Sequence, residues 1–158
     1  MRVGFGYDAH RLVSGKGVTL GGIFIECEYS IKAHSDGDLI IHALIDSLLG
    51  ASALGDIGTF FPSESSDYKD ISSQLLLSKV IKLLNEEDYQ LVNVDVTLIA
   101  QVPKLKDHIE SIRVNLSKVL GIDKENLSCK ATTTDGLGFE GKKKGISCTS
   151  ICLLKRRV

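Results

Sequence analysis

The run from Asp38 to Leu49 limits the folds open to this chain more than any other segment. Leu39, Ile40, Ile41, Ala43, Leu44, Ile45, Leu48 and Leu49 make it apolar almost all round, the composition of a largely buried helix, and Gly50 is a natural stop. Its polar residues Asp38, His42 and Asp46 are spaced by four and stack on one face. Such a stripe needs partners, because an unpaired buried polar group costs about 1–3 kcal/mol and a bare charge more. Two readings supply them. In one, His42 is held between Asp38 and Asp46 in an internal hydrogen-bonded set. In the other, His42 ligates a metal while a carboxylate orients its second ring nitrogen.

The flanking segments read as strands and further helices. Val3, Phe5 and Tyr7 alternate with Gly4 and Gly6, which predicts a strand with its bulky side chains on one face. Val18–Leu20 and Ile23–Ile25 predict a hairpin joined through Gly21-Gly22. Apolar residues at helical spacing predict an amphipathic helix over Ser72–Glu87 and another over Lys106–Leu120, the latter ended by Gly121. Val92–Leu98 alternates like a half-buried strand, and Leu127–Thr133 and Ile146–Leu154 complete the set. The expected class is α/β, an α+β sandwich: a single mixed β-sheet with helices packed on one face, plus a short β-hairpin. With 158 residues and no repeat, low-complexity stretch or shift in composition, residues 1–158 read as a single domain.

Composition narrows the function. Lys plus Arg number 19 against 20 for Asp plus Glu, a balance without the basic footprint of a nucleic-acid binder. No apolar run approaches the roughly 18 residues of a membrane span, and the first twelve residues lack the apolar core of a secretory signal. The expectation is a soluble, cytoplasmic protein that binds neither nucleic acid nor membrane. Cys27, Cys129, Cys148 and Cys152 contain no C-x-x-C pair, so they are expected to be thiols, mostly small buried apolar residues.

Asp8 and His10 lie two apart in the first strand, where side chains leave the same face. Alone, D-x-H is a weak signal. Together with His42 it makes two imidazoles and a carboxylate, the ligand set of a catalytic divalent metal with an open position, and zinc leads, given two imidazoles and no thiolate. Ala33-His34-Ser35-Asp36-Gly37-Asp38 precedes the helix. Ser35 or Asp36 could cap that helix, or its free amides with His34 and Ser35 could meet a phosphate. Gly55-Asp56-Ile57-Gly58 reads as a turn, with Asp56 either a simple turn residue or free to receive sugar hydroxyls. Thr132-Thr133-Thr134-Asp135 ends a strand in three hydroxyls and a carboxylate, which suit a phosphate with a bound cation. The basic clusters at 142–144 and 155–157 read as solvated charge.

These motifs together resemble the 2-C-methyl-D-erythritol 2,4-cyclodiphosphate synthase family. G-x-G-Y-D-A-H-R-L at 4–12, A-H-S-D-G-D at 33–38 followed by His42, L-G-D-I-G at 54–58, F-F-P at 60–62, N-V-D-V-T-L-I-A-Q-x-P-K at 93–104 and K-A-T-T-T at 130–134 occur in the expected order along nearly the whole chain. The resemblance implies a homotrimer with active sites at the subunit interfaces. It implies a phosphorus–oxygen lyase that cyclises 4-diphosphocytidyl-2-C-methyl-D-erythritol 2-phosphate and releases CMP, in non-mevalonate isoprenoid biosynthesis. By the same resemblance Asp8, His10 and His42 hold Zn²⁺, one per subunit, and Asp8 and His10 also border the substrate. His34 and Ser35 contact the reacting phosphates, and His34 and Thr133 stabilise the transition state. Asp56, Ile57 and Gly58 hold sugar hydroxyls, with Phe61 and Ser63 beside them. Ala100, Pro103, Lys104, Leu105 and Lys106, with Thr132, Thr133, Thr134 and Asp135, form the cytidine and α-phosphate pocket from a neighbouring subunit. Asp135 is also the candidate for a second ion, Mg²⁺ or Mn²⁺, on the diphosphate, and Phe139 and Lys142 complete the substrate contacts.

Four positions depart from the family pattern. Asp135 stands where glutamate is usual and is shorter by one carbon, roughly 1.5 Å. Ser63 replaces an aspartate, Lys142 an arginine with its planar fork, and Lys144 a glutamate near the trimer axis. The basic cluster there suggests an anion, such as an isoprenoid phosphate, in the trimer cavity. The rival readings are a metal-dependent phosphohydrolase with the same ligands and a non-catalytic nucleotide-binding trimer.

Overall fold

The computed structural model describes residues 1–33, 35–62 and 71–157. Among the described residues seven strands are formed: β1 (Arg2–Ser14), β2 (Gly17–Leu20), β3 (Ile23–Glu26), β4 (Tyr29–Lys32), β5 (Tyr89–Ile99), β6 (Leu127–Thr132) and β7 (Gly145–Arg156). Five α-helices accompany them there: α1 (Leu39–Ser52), α2 (Ile57–Phe60), α3 (Ser73–Glu86), α4 (Ile109–Leu120) and α5 (Gly138–Gly141). A five-stranded sheet runs in the order β4-β1-β7-β5-β6. Its pairings are antiparallel except for the parallel β5–β6 pair, so the sheet is mixed. β2 and β3 form the separate hairpin, turned by Gly21 and Gly22 at φ 57° and 77°, a backbone that suits glycine.

α1 is the centre of the core. Leu39, Ile40, Ile41, Leu44, Ile45, Leu48 and Leu49 are all fully buried. The helix lies against β1, and glycine lets it do so. A Cβ on Gly4 would sit 1.8 Å from the Ser47 carbonyl oxygen, and one on Gly6 would sit 1.9 Å from that of Ala43. Gly4 thus faces Ser47 and Ala51, while Gly6 faces Ala43 and Ser47, so strand and helix run in opposite directions. Four helical residues rise about 6 Å and two strand residues about 6.6 Å, so the two elements stay nearly in step. The next strand residue on that face, Asp8, therefore comes level with the turn that carries His42, and His10 stands one step beyond it.

All the long helices cover this face of the sheet. The other face carries Val3, Phe5, Tyr7 and Ile151, exposed by 70, 61, 49 and 48%. The bulky residues of β1 do share a face, and it is the bare one.

Several boundaries differ from the sequence reading. α1 does not stop at Gly50 but runs to Ser52, because Ala51 and Ser52 are still packed in the core; it ends at Ala53 with φ 60°. Its N-cap is Asp38, whose side chain accepts from the Ile41 amide, and neither Ser35 nor Asp36. α4 starts at Ile109, after a turn through Lys106 and Asp107. The expected turn at 55–58 opens the short helix α2, with Asp56 as its N-cap. All four cysteines are free thiols; burial pushes Cys129 up to about 11 and Cys148 well above the ordinary thiol range. No described helix is long and apolar enough to cross a membrane.

Candidate metal and substrate site

β1 and α1 bring Asp8, His10 and His42 to one point, at the end of the buried glycine-lined contact. Asp8 Oδ2 lies 2.9 Å from His10 Nε2 and 3.0 Å from His42 Nδ1, and the two nitrogens are 3.3 Å apart. Ligand atoms on a tetrahedral zinc ion are about 3.3 Å apart, as follows from bond lengths near 2.05 Å. The triangle here is that size or slightly tighter. The donor set and spacing fit a divalent metal of the zinc type.

The electrostatics are those of groups short of a cation. Burial pushes the Asp8 carboxyl up, but hydrogen bonds from His10 and His42 and their charges outweigh it and hold the group well below the usual carboxylate range. Burial pulls His42 down, while the Asp8 hydrogen bond and the charges of Asp8, Asp38 and Asp36 carry it above the ordinary imidazole value. A metal ion would take the place of that extra proton.

The internal set of Asp38, His42 and Asp46 is not formed. Asp38 is fully buried and turned toward the hairpin, accepting from the amides of Gly21 at 2.8 Å and Gly22 at 2.6 Å as well as Ile41 at 3.3 Å. Asp46 accepts from the Ile57 amide at 2.8 Å. Both carboxylates bind loops to α1 and leave His42 to other partners.

Those partners were not legible in the sequence. His42 Nε2 lies 2.9 Å from the Ser73 hydroxyl and 3.4 Å from that of Ser35. The Ser73 hydroxyl donates to Asp36 Oδ1, and the Ser73 amide donates to Asp36 Oδ2 at 2.8 Å. Asp36 thereby caps α3 from 37 residues away, where the flanking Ser72 makes no side-chain cap bond. Ser73 stands inside the expected helix Ser72–Glu87, and no spacing in the sequence links it to His42.

Of the other expected site residues, Ser35 borders His42 and accepts from the Gly37 amide at 3.2 Å. Asp56 Oδ1 accepts from the Thr59 amide at 2.8 Å and the Thr59 hydroxyl at 2.9 Å, so it is a helix cap beside Ile57 and Gly58. Phe61 closes that helix. His34 and Ser63 lie outside the described residues. Ala100, Pro103, Lys104, Leu105 and Lys106 line one cavity of about 580 Å³ with Thr132 and Thr133. Thr134 and Asp135 follow in an exposed turn, with Asp135 at φ 52°.

That cavity is at the far edge of the sheet from the metal ligands. Asp8 pairs with Cys148, Cys148 with Leu98, and Leu98 with Ala131, one row across four strands. Three strand spacings amount to about 14 Å. The metal ligands on β1 and the cavity beside β6 thus stand three strands apart in the sheet.

The YgbB family model matches residues 1–155. Over 154 residues the chain is 51% identical to a 2-C-methyl-D-erythritol 2,4-cyclodiphosphate synthase of Clostridium botulinum, covering 98% of this chain and 99% of that one. The chain belongs to the YgbB family. Among solved structures it is similar to IspF of Plasmodium falciparum in a CDP complex, with TM-score 0.87 and 39% identity over 99% of this chain and 97% of that one. It is also similar to the bifunctional IspDF of Campylobacter jejuni, with TM-score 0.94 and 37% identity over 99% of this chain; it spans 42% of that longer chain.

Within this YgbB-family chain, two further regions border the metal ligands or the cavity. Phe139 stands on α5 and, with His10, Arg11, Lys143 and Lys144, lines a second cavity of about 640 Å³. Lys142 ends α5. Gln101 follows Ala100, and its side-chain oxygen is buried without a hydrogen-bond partner among the described residues. In the sequence nothing beyond its place in the run Ala100-Gln101-Val102-Pro103-Lys104 sets Gln101 apart.

Proposed function

We propose that this chain is a 2-C-methyl-D-erythritol 2,4-cyclodiphosphate synthase, a phosphorus–oxygen lyase of isoprenoid precursor biosynthesis, acting as one domain over 1–158. The observation that carries the reading is the triangle of Asp8 Oδ2, His10 Nε2 and His42 Nδ1 in a chain that matches the family from end to end. Asp8, His10 and His42 would hold Zn²⁺, which when bound supplies positive charge that polarises the diphosphate.

In the reaction an oxygen of the 2-phosphate bonds to the β-phosphorus of the same molecule, and the bond from that phosphorus to the CMP oxygen breaks. The substrate carries its own nucleophile, so the protein's task is to bring anions together and to stabilise the leaving charge. Ser35 and His34 take the phosphates next to the metal ligands, Asp56, Ile57 and Gly58 hold the sugar, and Phe61 and Ser63 flank it. The pocket from Ala100 to Lys106 takes the cytidine. The Thr132–Asp135 turn takes the α-phosphate, with the Thr133 hydroxyl on the developing charge, and Asp135 would hold a Mg²⁺ or Mn²⁺ ion, which would supply positive charge to the diphosphate. Phe139 and Lys142 close the substrate's other side.

The three strand spacings, about 14 Å, from Asp8 to Ala131 at the foot of the threonine turn support sites shared between subunits, and the bare apolar face of Val3, Phe5, Tyr7 and Ile151 supports a homotrimer. The cavity lined by Arg11, Lys143 and Lys144 supports an anion such as an isoprenoid phosphate bound in the assembly. We place the enzyme in the cytoplasm.

The test is phosphorus NMR of the purified chain with the cytidyl substrate, with and without a chelator. A cyclic diphosphate and CMP, lost on chelation, are expected. Inorganic phosphate as product would mean a phosphohydrolase, and nucleotide binding without CMP release would mean a binding protein.

A further inference from the structure

We propose that Asp36 and Ser73 are positioning residues that fix the tautomer of His42 and so decide which of its nitrogens can take a metal. The inference rests on the reading of Asp8, His10 and His42 as a metal site. It begins with Asp36, both of whose carboxylate oxygens accept backbone amides: Oδ1 from Asp38 at 3.2 Å and Oδ2 from Ser73 at 2.8 Å. Both oxygens are engaged as acceptors, and a carboxylate offers acceptor sites only.

The Ser73 hydroxyl, which also reaches Asp36 Oδ1, must therefore donate its single proton there. Toward His42 it has only lone pairs left, and at 2.9 Å it accepts the Nε2–H. With the proton of the neutral ring on Nε2, the lone pair is on Nδ1. That is the nitrogen 3.0 Å from Asp8 Oδ2 and 3.3 Å from His10 Nε2. The order of donation is thus one-way, from His42 to Ser73 to Asp36. The Ser35 hydroxyl at 3.4 Å is a weaker second neighbour of Nε2.

The arrangement gives an isosteric substitution a distinctive effect. In Asp36→Asn the carbonyl oxygen must stay on the Ser73 amide, the shorter of the two backbone bonds. The NH₂ then faces the Ser73 hydroxyl and gives up the longer bond to Asp38. Ser73 now accepts from the amide and turns its proton to His42 Nε2, which moves the ring proton to Nδ1, into the metal position. Ser73→Ala removes the bias without inverting it, and Ser73→Thr keeps the hydroxyl.

Two measurements test this. Nitrogen-15 NMR of the metal-free chain, at alkaline pH where the ring is neutral, is expected to show His42 as the Nε2–H form in the wild type and as Nδ1–H in Asp36→Asn. Competition for Zn²⁺ with a chromophoric chelator is expected to show affinity about 10–100-fold weaker in Ser73→Ala and at least as weak in Asp36→Asn, with Ser73→Thr restored. Thermal melts of the metal-free variants separate lost folding from lost affinity. An Nδ1–H ring in the wild type, or unchanged Zn²⁺ affinity in both Ser73→Ala and Asp36→Asn, overturns the proposal. A wild type with the Nε2–H ring that binds no Zn²⁺ overturns instead the metal reading on which it rests.

Discussion

Asp38 and His42 lie one turn apart on the same face of the same buried helix, yet they are satisfied in opposite ways. Asp38 meets three backbone amides, whose hydrogens are fixed, and its needs are closed. His42 Nδ1 meets Asp8 Oδ2 and His10 Nε2, and which of the three donates depends on where the ring protons lie. A proton or a cation can fill the point they share. A polar group that holds structure is matched to donors that never change, whereas a polar group that does chemistry is left matched to something exchangeable.

The sharpest way to break this comparison is to remove one member of each kind. His42→Ala is expected to bring CMP release below detection and to abolish tight Zn²⁺ binding, with the metal-free melting temperature little changed. A fully active His42→Ala variant would end the metal reading. Asp38→Ala is expected to do the reverse, lowering stability by about 3 kcal/mol or more through three orphaned amides and a lost cap. Urea titration measures this, and a variant as stable as the parent would show that the cap is dispensable.

The two carboxylates should also answer pH with opposite signs. Burial pushes Asp38 up to about 6 from 3.8, against the pull of its amides. Its contribution to stability is therefore full below pH 3.8 and lost as pH rises through about 6, a change of about 3 kcal/mol. Asp8 is held low, so its contribution is present above pH 3.8 and lost as pH falls toward its depressed value. Urea titrations of the metal-free chain across this range should show the Asp38 arm vanish in Asp38→Asn and the Asp8 arm vanish in Asp8→Asn. The smallest effect concerns His42, raised above 6.5 in the metal-free chain. Protons compete with the metal there, so Zn²⁺ affinity should weaken by up to about tenfold per unit as pH falls below that raised value. A pH-independent affinity would place the ligand nitrogen elsewhere.

Much of this was legible in the sequence because periodicity is a local property. The all-apolar helix, the strand with Asp8 and His10 on one face, and the hairpin through Gly21-Gly22 follow from spacings of two to four residues. What was hidden depends on packing between distant segments. Ser35, Asp36 and Asp38 are all good capping residues; Asp38 prevails because the hairpin turn presents two amides to it. Asp36 and Ser73 meet across 37 residues of chain, and neither carries a pattern that names the other. Gly50 looked like a helix end, but burial of Ala51 and Ser52 carries the helix past it.

The gap between β1 and α1 is set by backbone against backbone at Gly4 and Gly6, not by the ligands themselves. The metal centre is in that sense a by-product of a fit made at Ala43 and Ser47, the helix positions that follow His42. A single methyl group at Gly4, a position with no side-chain atom to offer any ion, would prise the helix off the strand and take His42 out of reach of Asp8 and His10. Loss of metal in this chain can thus originate where no ligand stands.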